Sequence, residues 1–142
     1  MTQMYIGVKM VQAWPEERDG NPGYAVKYSD SYTSWSPKDV FEAAYFPMGT
    51  LESGVENNSK ITEEMVNAFM QEPTATNISE KSTLVKVTPL TGFEQYEVSS
   101  CVDPANYDFE IGKACAARRI KDQICGHLGF VLQWAKFGLK KQ

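Results

Sequence analysis

Arg118 and Arg119, with Lys113 and Lys121, form the one cluster in the chain that suits an anionic ligand. The planar guanidinium of arginine can hold a phosphate through two parallel hydrogen bonds. Arg118 and Lys121 are three residues apart and share a face of a predicted helix, whereas Arg119 points elsewhere. We therefore name Arg118, Arg119 and Lys121 as binding candidates, although a solvated helix face is the simpler interpretation.

The residues that could carry covalent or metal chemistry lie too far apart along the chain. Ser99–Cys101 precede a predicted long helix, but His127 is the only histidine and follows about 26 residues later, roughly 35 Å along a straight helix. Cys115 and Cys125 are ten residues apart on that helix, and the odd number of cysteines includes no CxxC pair. No glycine-rich phosphate motif occurs. We expect no catalytic residues, no metal site and no cofactor.

Aromatic side chains are dense in the first third of the chain, where Tyr32 and Trp35 are the binding candidates. Aromatic residues on a sheet can stack nucleic-acid bases, but phosphate backbones need cations and this region is acidic. Tyr and Trp are also favoured at the centres of protein interfaces. The pattern therefore favours core or protein-interface roles.

Charge is distributed unevenly along the chain. Residues 1–112 hold seven Lys and Arg against seventeen Asp and Glu, whereas residues 113–142 hold seven against one. The basic end either folds against the acidic body or binds an anion, a nucleotide or an acidic partner. An overall charge of −4 disfavours nucleic-acid binding without excluding it.

The first half of the sequence predicts a strand and then a hairpin, followed by a helix. Residues 4–13 alternate in polarity, and residues 24–28 and 32–35 resume the pattern after turn-forming residues. Ser36 is the predicted cap of a helix that has Pro37 at its first position and ends before Pro47.

The second half begins after residues 49–60, a polar and aperiodic stretch that is typical of a linker. A short helix capped by Thr62 or Ser59 precedes predicted strands at 82–88 and 93–102. Asp103 is the predicted cap of a helix that runs to about Leu128, where Gly126 and Gly129 suggest its end.

These elements predict an α+β fold, with antiparallel β-hairpins packed against a long C-terminal helix and a shorter one. The predicted organisation is a ββα module at 1–48, a linker at 49–60, and a unit at 61–142 that contains a helix, a hairpin and the long helix. All three segments are expected to form one compact unit overall.

Two segments of the sequence resemble families of bacteriophage proteins. Residues 23–28 and 32–45, which include the run SWSPKDVF, resemble a small N-terminal module of uncharacterised tailed-phage proteins. Residues 60–130 resemble early-region phage proteins of unknown function. The second resemblance is carried by Tyr96–Val98, Cys101–Gly112, Ala117–Arg118 and Gly129–Phe130. Residues 125–128 depart from that family's more helix-favouring pattern.

The resemblance implies a phage origin and an accessory role inside an infected bacterium, and it transfers no catalytic residue. We expect a non-enzymatic protein that binds and inhibits a bacterial host protein, such as a protein of host defence. The first alternative is a homo-oligomeric sponge that sequesters a nucleotide immune signal, and the second is a nucleic-acid-binding accessory protein.

The expected location is the host bacterial cytoplasm. No apolar run approaches the roughly 20 residues that cross a bilayer, and the N-terminus lacks the basic and apolar segments of a signal peptide. A membrane partner is therefore not expected.

Overall fold

The computed structural model describes residues 1–141 and forms two compact units. The first unit comprises Met1–Ser59 and the residues from Val131 onward, and the second comprises Lys60–Phe130. Antiparallel sheets and helices occur in the described chain, so the α+β prediction is confirmed.

The first unit contains a three-stranded antiparallel sheet and a short helix. In chain order these are β1 (Gln12–Pro15), β2 (Gly23–Lys27), β3 (Thr33–Pro37) and α1 (Lys38–Ala44). The central strand β2 buries Ala25 and Val26. The ring of Tyr24 on β2 stacks on Phe41 of α1 with centroids 4.2 Å apart, and the Tyr24 hydroxyl donates to Glu42 at 2.7 Å. This aromatic contact fastens α1 to the sheet.

The predicted strand over residues 4–13 is wrong for most of its length. Pairing begins only at Gln12, which lies opposite Lys27 at the end of β2. Beyond Lys27 the chain turns, and the Tyr28 amide donates to the Tyr32 carbonyl at 2.9 Å. Residues 4–10 therefore extend past the end of β2 and have no neighbouring strand among the described residues.

The predicted cap at Ser36 is also wrong. Ser36 belongs to β3, and its hydroxyl donates to the carbonyl of Pro37 at 3.4 Å. Pro37 occupies the N-cap position of α1, which has no side-chain cap. Pairing with β2 keeps the chain in strand geometry up to Pro37, which lies opposite Gly23, so the helix begins one residue later than predicted.

Residues 49–60 form hydrogen-bonded turns. Thr50 and Glu56 make an isolated bridge, and the Leu51 amide donates to the Val55 carbonyl at 2.8 Å. The buried side chain of Asn57 donates to the Met48 carbonyl at 3.1 Å. The polar residues of this stretch satisfy local backbone groups, as side-chain amides often do in turns.

The second unit packs two helices on one side of another antiparallel sheet. Its elements are α2 (Glu63–Met70), β4 (Thr74–Ser79), β5 (Ser82–Val87), β6 (Gln95–Ser100), a 3₁₀ turn (Pro104–Asn106) and α3 (Phe109–Phe137). Only the part of α3 up to Phe130 belongs to this unit. The strand order is β4-β5-β6. The predicted cap Thr62 is confirmed, since its hydroxyl accepts from the Met65 amide.

The core of the second unit lies where α3 covers β5. Ala116, Ile120, Ile124 and Leu128 recur every four residues and present one buried face of α3. The core also includes Val66, Met70, Val85 and Val87. Full burial of such aliphatic side chains stabilises a fold by about 1.5–3 kcal/mol each.

The start of α3 differs from its predicted start. Asp103 caps the 3₁₀ turn, since its carboxylate accepts from the Ala105 amide at 3.0 Å. Asp108 caps α3 itself and accepts from the Ile111 amide at 3.1 Å. The break arises because the 3₁₀ turn closes at Tyr107, which has an extended backbone.

The predicted end of α3 near Leu128 is wrong, because almost a third of the helix lies beyond that residue. The helix continues to Phe137 and ends at Gly138, which has a φ of 67° and donates its amide to the Trp134 carbonyl. Gly126 and Gly129 are ordinary helical residues here. A glycine terminates a helix when it adopts positive φ, and of these three only Gly138 does.

Gly112, in the first turns of α3, lies directly against β5. A Cβ atom at this position would lie 2.7 Å from the Thr83 hydroxyl oxygen and 3.1 Å from the Thr83 Cβ. Thr83 is fully buried, and its hydroxyl lies 2.6 Å from the Tyr107 hydroxyl. Glycine therefore permits a close approach that any other side chain would prevent.

We predict that Gly112→Ala destabilises the fold by about 1–3 kcal/mol, because the added methyl group overpacks a buried contact. Gly126→Ala is the matched control in the same helix, where an added Cβ meets no atom within 4 Å. It should stabilise the protein by about 0.5–1 kcal/mol through helix propensity. Urea unfolding measures both; equal effects of the two changes would contradict the close-approach account.

Candidate functional site

Strand β6 turns its polar residues towards the core and its apolar residues away from it, which is the reverse of the usual arrangement. Opposed residues in an antiparallel pair share a face, and β6 pairs Glu97 with the buried Val85. Gln95 and Ser99 lie on the same inner face as Glu97. Tyr96 and Val98 point away from the core and are 51% and 43% exposed. The outer side of the sheet is therefore the apolar side of this strand.

Side chains of α3 explain why the inner face of β6 is polar. The side-chain oxygen of Gln123 accepts from the side-chain nitrogen of Gln95 at 3.2 Å, and the side-chain nitrogen of Gln123 donates to the Glu97 carboxylate at 3.4 Å. Arg119 lies 3.9 Å from the same carboxylate. A polar strip on α3 thus matches a polar strip on β6, while the aliphatic face of α3 is used on β5.

The outer patch consists of Leu84, Tyr96 and Val98, three neighbours on β5 and β6. Leu84 lies directly opposite Val98 in the register, and Lys86 lies opposite Tyr96. Threonine and serine side chains surround the patch on the same face, at Thr74, Thr76, Ser82 and Ser100. An apolar centre inside a polar rim is the usual anatomy of a protein interface.

Charged groups lie at one margin of the outer patch. Lys86 and Glu94 form an ion pair at 2.6 Å. The ammonium lowers the pKa of Glu94, and the carboxylate raises the pKa of Lys86. Both groups are therefore charged at neutral pH and mark the border of the apolar area.

Arg119 covers part of the free edge of β6. Its guanidinium donates to the backbone carbonyl of Val98 at 2.9 Å. A side chain bonded to an edge carbonyl hinders pairing with a further strand. Recognition at this place would therefore depend on the side chains of the outer patch rather than on strand addition.

The three predicted cationic residues do not form one site. Arg118 and Lys121 line a cleft of about 490 Å³ beside Pro73, whereas Arg119 is bonded to β6. Lys121 donates to the Glu63 carboxylate at 2.9 Å, which lowers the pKa of Glu63. Within residues 1–141, Arg118 makes no hydrogen bond or ion pair. It is the one member of the trio that is available to a ligand.

Trp35 and Tyr32 belong to the first unit and have different surroundings. The Trp35 indole donates to the Glu16 carbonyl at 2.7 Å, and a Cβ at Gly23 would lie 2.4 Å from the indole ring. Trp35 thus fastens the loop before β2 to β3. Tyr32 is 64% exposed and stacks on Tyr28 with centroids 6.0 Å apart.

The candidate nucleophiles are not joined to a base. Cys101 and Cys115 line one cleft, where the Cys101 thiol donates to the Asp103 carbonyl at 3.2 Å. His127 is an exposed residue of α3, about 27 Å along the helix axis from its first residue, Phe109. Across the described residues, no three His, Cys, Asp or Glu side chains are grouped as metal ligands. No helix in that part of the chain is long and apolar enough to cross a membrane.

Sequence reasoning missed Leu84, Tyr96 and Val98. Alternation along β6 suggests that the apolar residues face the core, which is the common arrangement. The available signal is the pair Arg119 and Gln123, whose i, i+4 spacing places a polar strip on the predicted helix. That strip needs a polar face opposite it.

Comparison with known proteins identifies a phage protein family. A family model described as the phage protein (N4 Gp49/phage Sf6 gene 66) family matches residues 54–135, more than half of the chain. No curated protein and no solved structure matches. The match confirms a phage family for the second half. The resemblance of residues 23–45 to a phage module stays a prediction.

We predict that Lys121→Met raises the pKa of Glu63 towards the ordinary glutamate range, because it removes the ammonium that lowers it. A lowered folded pKa contributes stability above the ordinary glutamate pKa, and that contribution is lost as pH falls through the folded value. The variant should therefore lose less stability on acidification. Carbon-detected NMR titration of Glu63 checks the shift, with Lys113→Met as control. An unchanged Glu63 titration in Lys121→Met would refute the pairing.

Proposed function

Because the chain belongs to the phage protein (N4 Gp49/phage Sf6 gene 66) family, we propose that it is a non-enzymatic accessory protein that binds and inhibits a host protein. Its site of action is the cytoplasm of the infected bacterium. Inhibition of a host defence protein fits a phage product that works by binding.

The single observation that carries the proposal is the reversed strand β6. An exposed tyrosine and an exposed valine next to a half-buried leucine favour a protein partner. A strand that needed only to complete its own fold would present polar residues outward. Tyrosine is also among the residues that contribute most to interface energy.

The partner surface that fits the outer patch is apolar at its centre and polar around it. Lys86 and Glu94 at the margin are already paired, so they add a mixed-charge border rather than a field of one sign. Rim charges of this kind influence register and association rate more than affinity. The affinity would come from Tyr96, Val98 and Leu84.

The separation of the candidate nucleophiles from a base supports a non-enzymatic role. The thiols and hydroxyls near Cys101 are far from His127, and the carboxylates Glu63, Glu94 and Glu97 are engaged with lysine, arginine or glutamine side chains. A nucleophile without an adjacent base lacks the activation that covalent catalysis needs.

A second candidate function is sequestration of a nucleotide signal, which Arg118 favours. Its unpaired guanidinium lines an open cleft with Lys121, and one arginine can hold a phosphate through two hydrogen bonds. Glu72 lines the same cleft and would repel a second phosphate, which makes this candidate the weaker one. Nucleic-acid binding ranks third, since the net charge of −4 opposes the duplex field.

We predict that Val98→Lys abolishes host-protein binding and leaves the fold intact, because a charge replaces an apolar contact at the centre of the outer patch. The tagged protein is used to capture proteins from host lysate, and the partner is identified by mass spectrometry. Ser100→Lys is the matched control, since it places the same charge on the same strand and face outside the patch. It should retain the partner.

Loss of host-protein binding should also weaken infection. A phage that carries Val98→Lys should lose its advantage on a host that contains the captured protein, and regain it on a host that lacks that protein. Equal capture by wild type and Val98→Lys, or turnover of a nucleotide by the purified protein, would contradict the account.

For the nucleotide alternative, we predict that Arg118→Glu lowers affinity for the bound nucleotide by at least two orders of magnitude, since a charge-assisted contact becomes repulsive. Calorimetry against cyclic dinucleotides and ADP-ribose derivatives supplies the measurement. Lys113→Glu reverses a charge outside the cleft and should bind like wild type. No heat with any ligand of the panel would eliminate this candidate.

A further inference from the structure

The N-terminal segment Met4–Met10 has the residue pattern of a strand but no strand beside it. Its residues form no backbone hydrogen bond with any described residue. Met4 is 95% exposed, and Tyr5 and Ile6 are each 82% exposed. A segment with a strand-like residue pattern, unpaired amides and carbonyls and exposed apolar side chains is a template for pairing with another chain.

The methionines and the β-branched residues of this segment are placed symmetrically about Gly7. Reading outward in both directions gives Ile6 and Val8, then Tyr5 and Lys9, then Met4 and Met10. In an antiparallel pair of identical strands centred on one residue, each residue lies opposite its mirror position in the other copy. Apolar residues would then face apolar residues along one side of the ribbon.

The charge pattern also suits self-pairing. In this register Lys9 of one copy lies opposite Tyr5 of the other, so the two lysines are not directly opposed. Lysine beside a tyrosine ring is a favourable neighbour, and Lys9 already lies 4.5 Å from the Tyr28 ring. Like charges directly opposite each other would instead destabilise the ribbon.

Burial differs between the two halves of the segment in a way that fits the same register. Val8 and Met10 are half-buried, whereas Met4 and Ile6 are exposed. Mirror pairing places Ile6 of one copy beside Val8 of the other, and Met4 beside Met10. Each exposed apolar side chain would thus extend an area that is already partly covered.

We infer that Met4–Met10 pairs antiparallel with the same segment of a second copy, centred on Gly7, and that this ribbon joins two protomers into a dimer. The ribbon is continuous with β1, so it extends the three-stranded sheet of each copy and is not an isolated two-stranded hairpin. This inference does not depend on the proposed host partner, whose surface is on the second unit.

Light scattering of the purified full-length chain over a range of concentrations tests the stoichiometry. Wild type should have the mass of a dimer, and Ile6→Lys should raise the dimer Kd by about 100-fold, since two isoleucines lose their burial. Thr2→Lys is the control, because it adds the same charge outside the symmetric segment. Unchanged circular dichroism shows that Ile6→Lys still folds.

A cysteine at the centre tests the register. Gly7→Cys should form an intermolecular disulfide under mild oxidation, since opposed Cα atoms of a strand pair lie at disulfide distance. Wild type, which carries Cys101, Cys115 and Cys125, is the control for other cross-links. A monomeric wild type, or a dimer that Ile6→Lys leaves intact, would overturn the inference; a dimer without the Gly7→Cys bond would overturn the register.

Discussion

The close approach of α3 to β5 at Gly112 and Thr83 is the constraint on which the second unit depends. Because a Cβ on Gly112 would overlap the Thr83 hydroxyl, the helix approaches the strand this closely only with glycine there. Thr83 in turn bonds Tyr107, which precedes the helix. The contact therefore fixes where α3 begins and which of its faces meets the sheet. Ile120 and Ile124 then follow on the buried side.

That placement of α3 produces the unusual strand β6. With its aliphatic face on β5, the helix presents Arg119 and Gln123 to the neighbouring strand, and only polar residues of β6 can meet them. Tyr96 and Val98 are consequently left on the outer side of the sheet. The candidate binding surface is thus a consequence of how the core is built.

Much of the architecture could be predicted from local patterns, and the errors have identifiable physical causes. The α+β class, α2 and the cap at Thr62 follow from apolar periodicity and capping chemistry. Strand β4 was missed, because its sequence TATNIS lacks apolar alternation and its pairing with β5 depends on tertiary context. The early helix end was wrong, because Gly126 and Gly129 are compatible with a helix unless they adopt positive φ. The outer patch was missed, since alternation within β6 does not tell which of its faces meets α3 and the Arg119 and Gln123 strip shows this only once the helix is placed against β6.

Site-specific photo-crosslinking during infection tests most directly whether the outer patch binds a host protein. A benzophenone amino acid replaces Val98 in one phage and Gly126, an exposed position on α3, in another. The account predicts a single host protein cross-linked from position 98 and none from position 126. Cross-links from position 126 alone, or the same products from both positions, would contradict it.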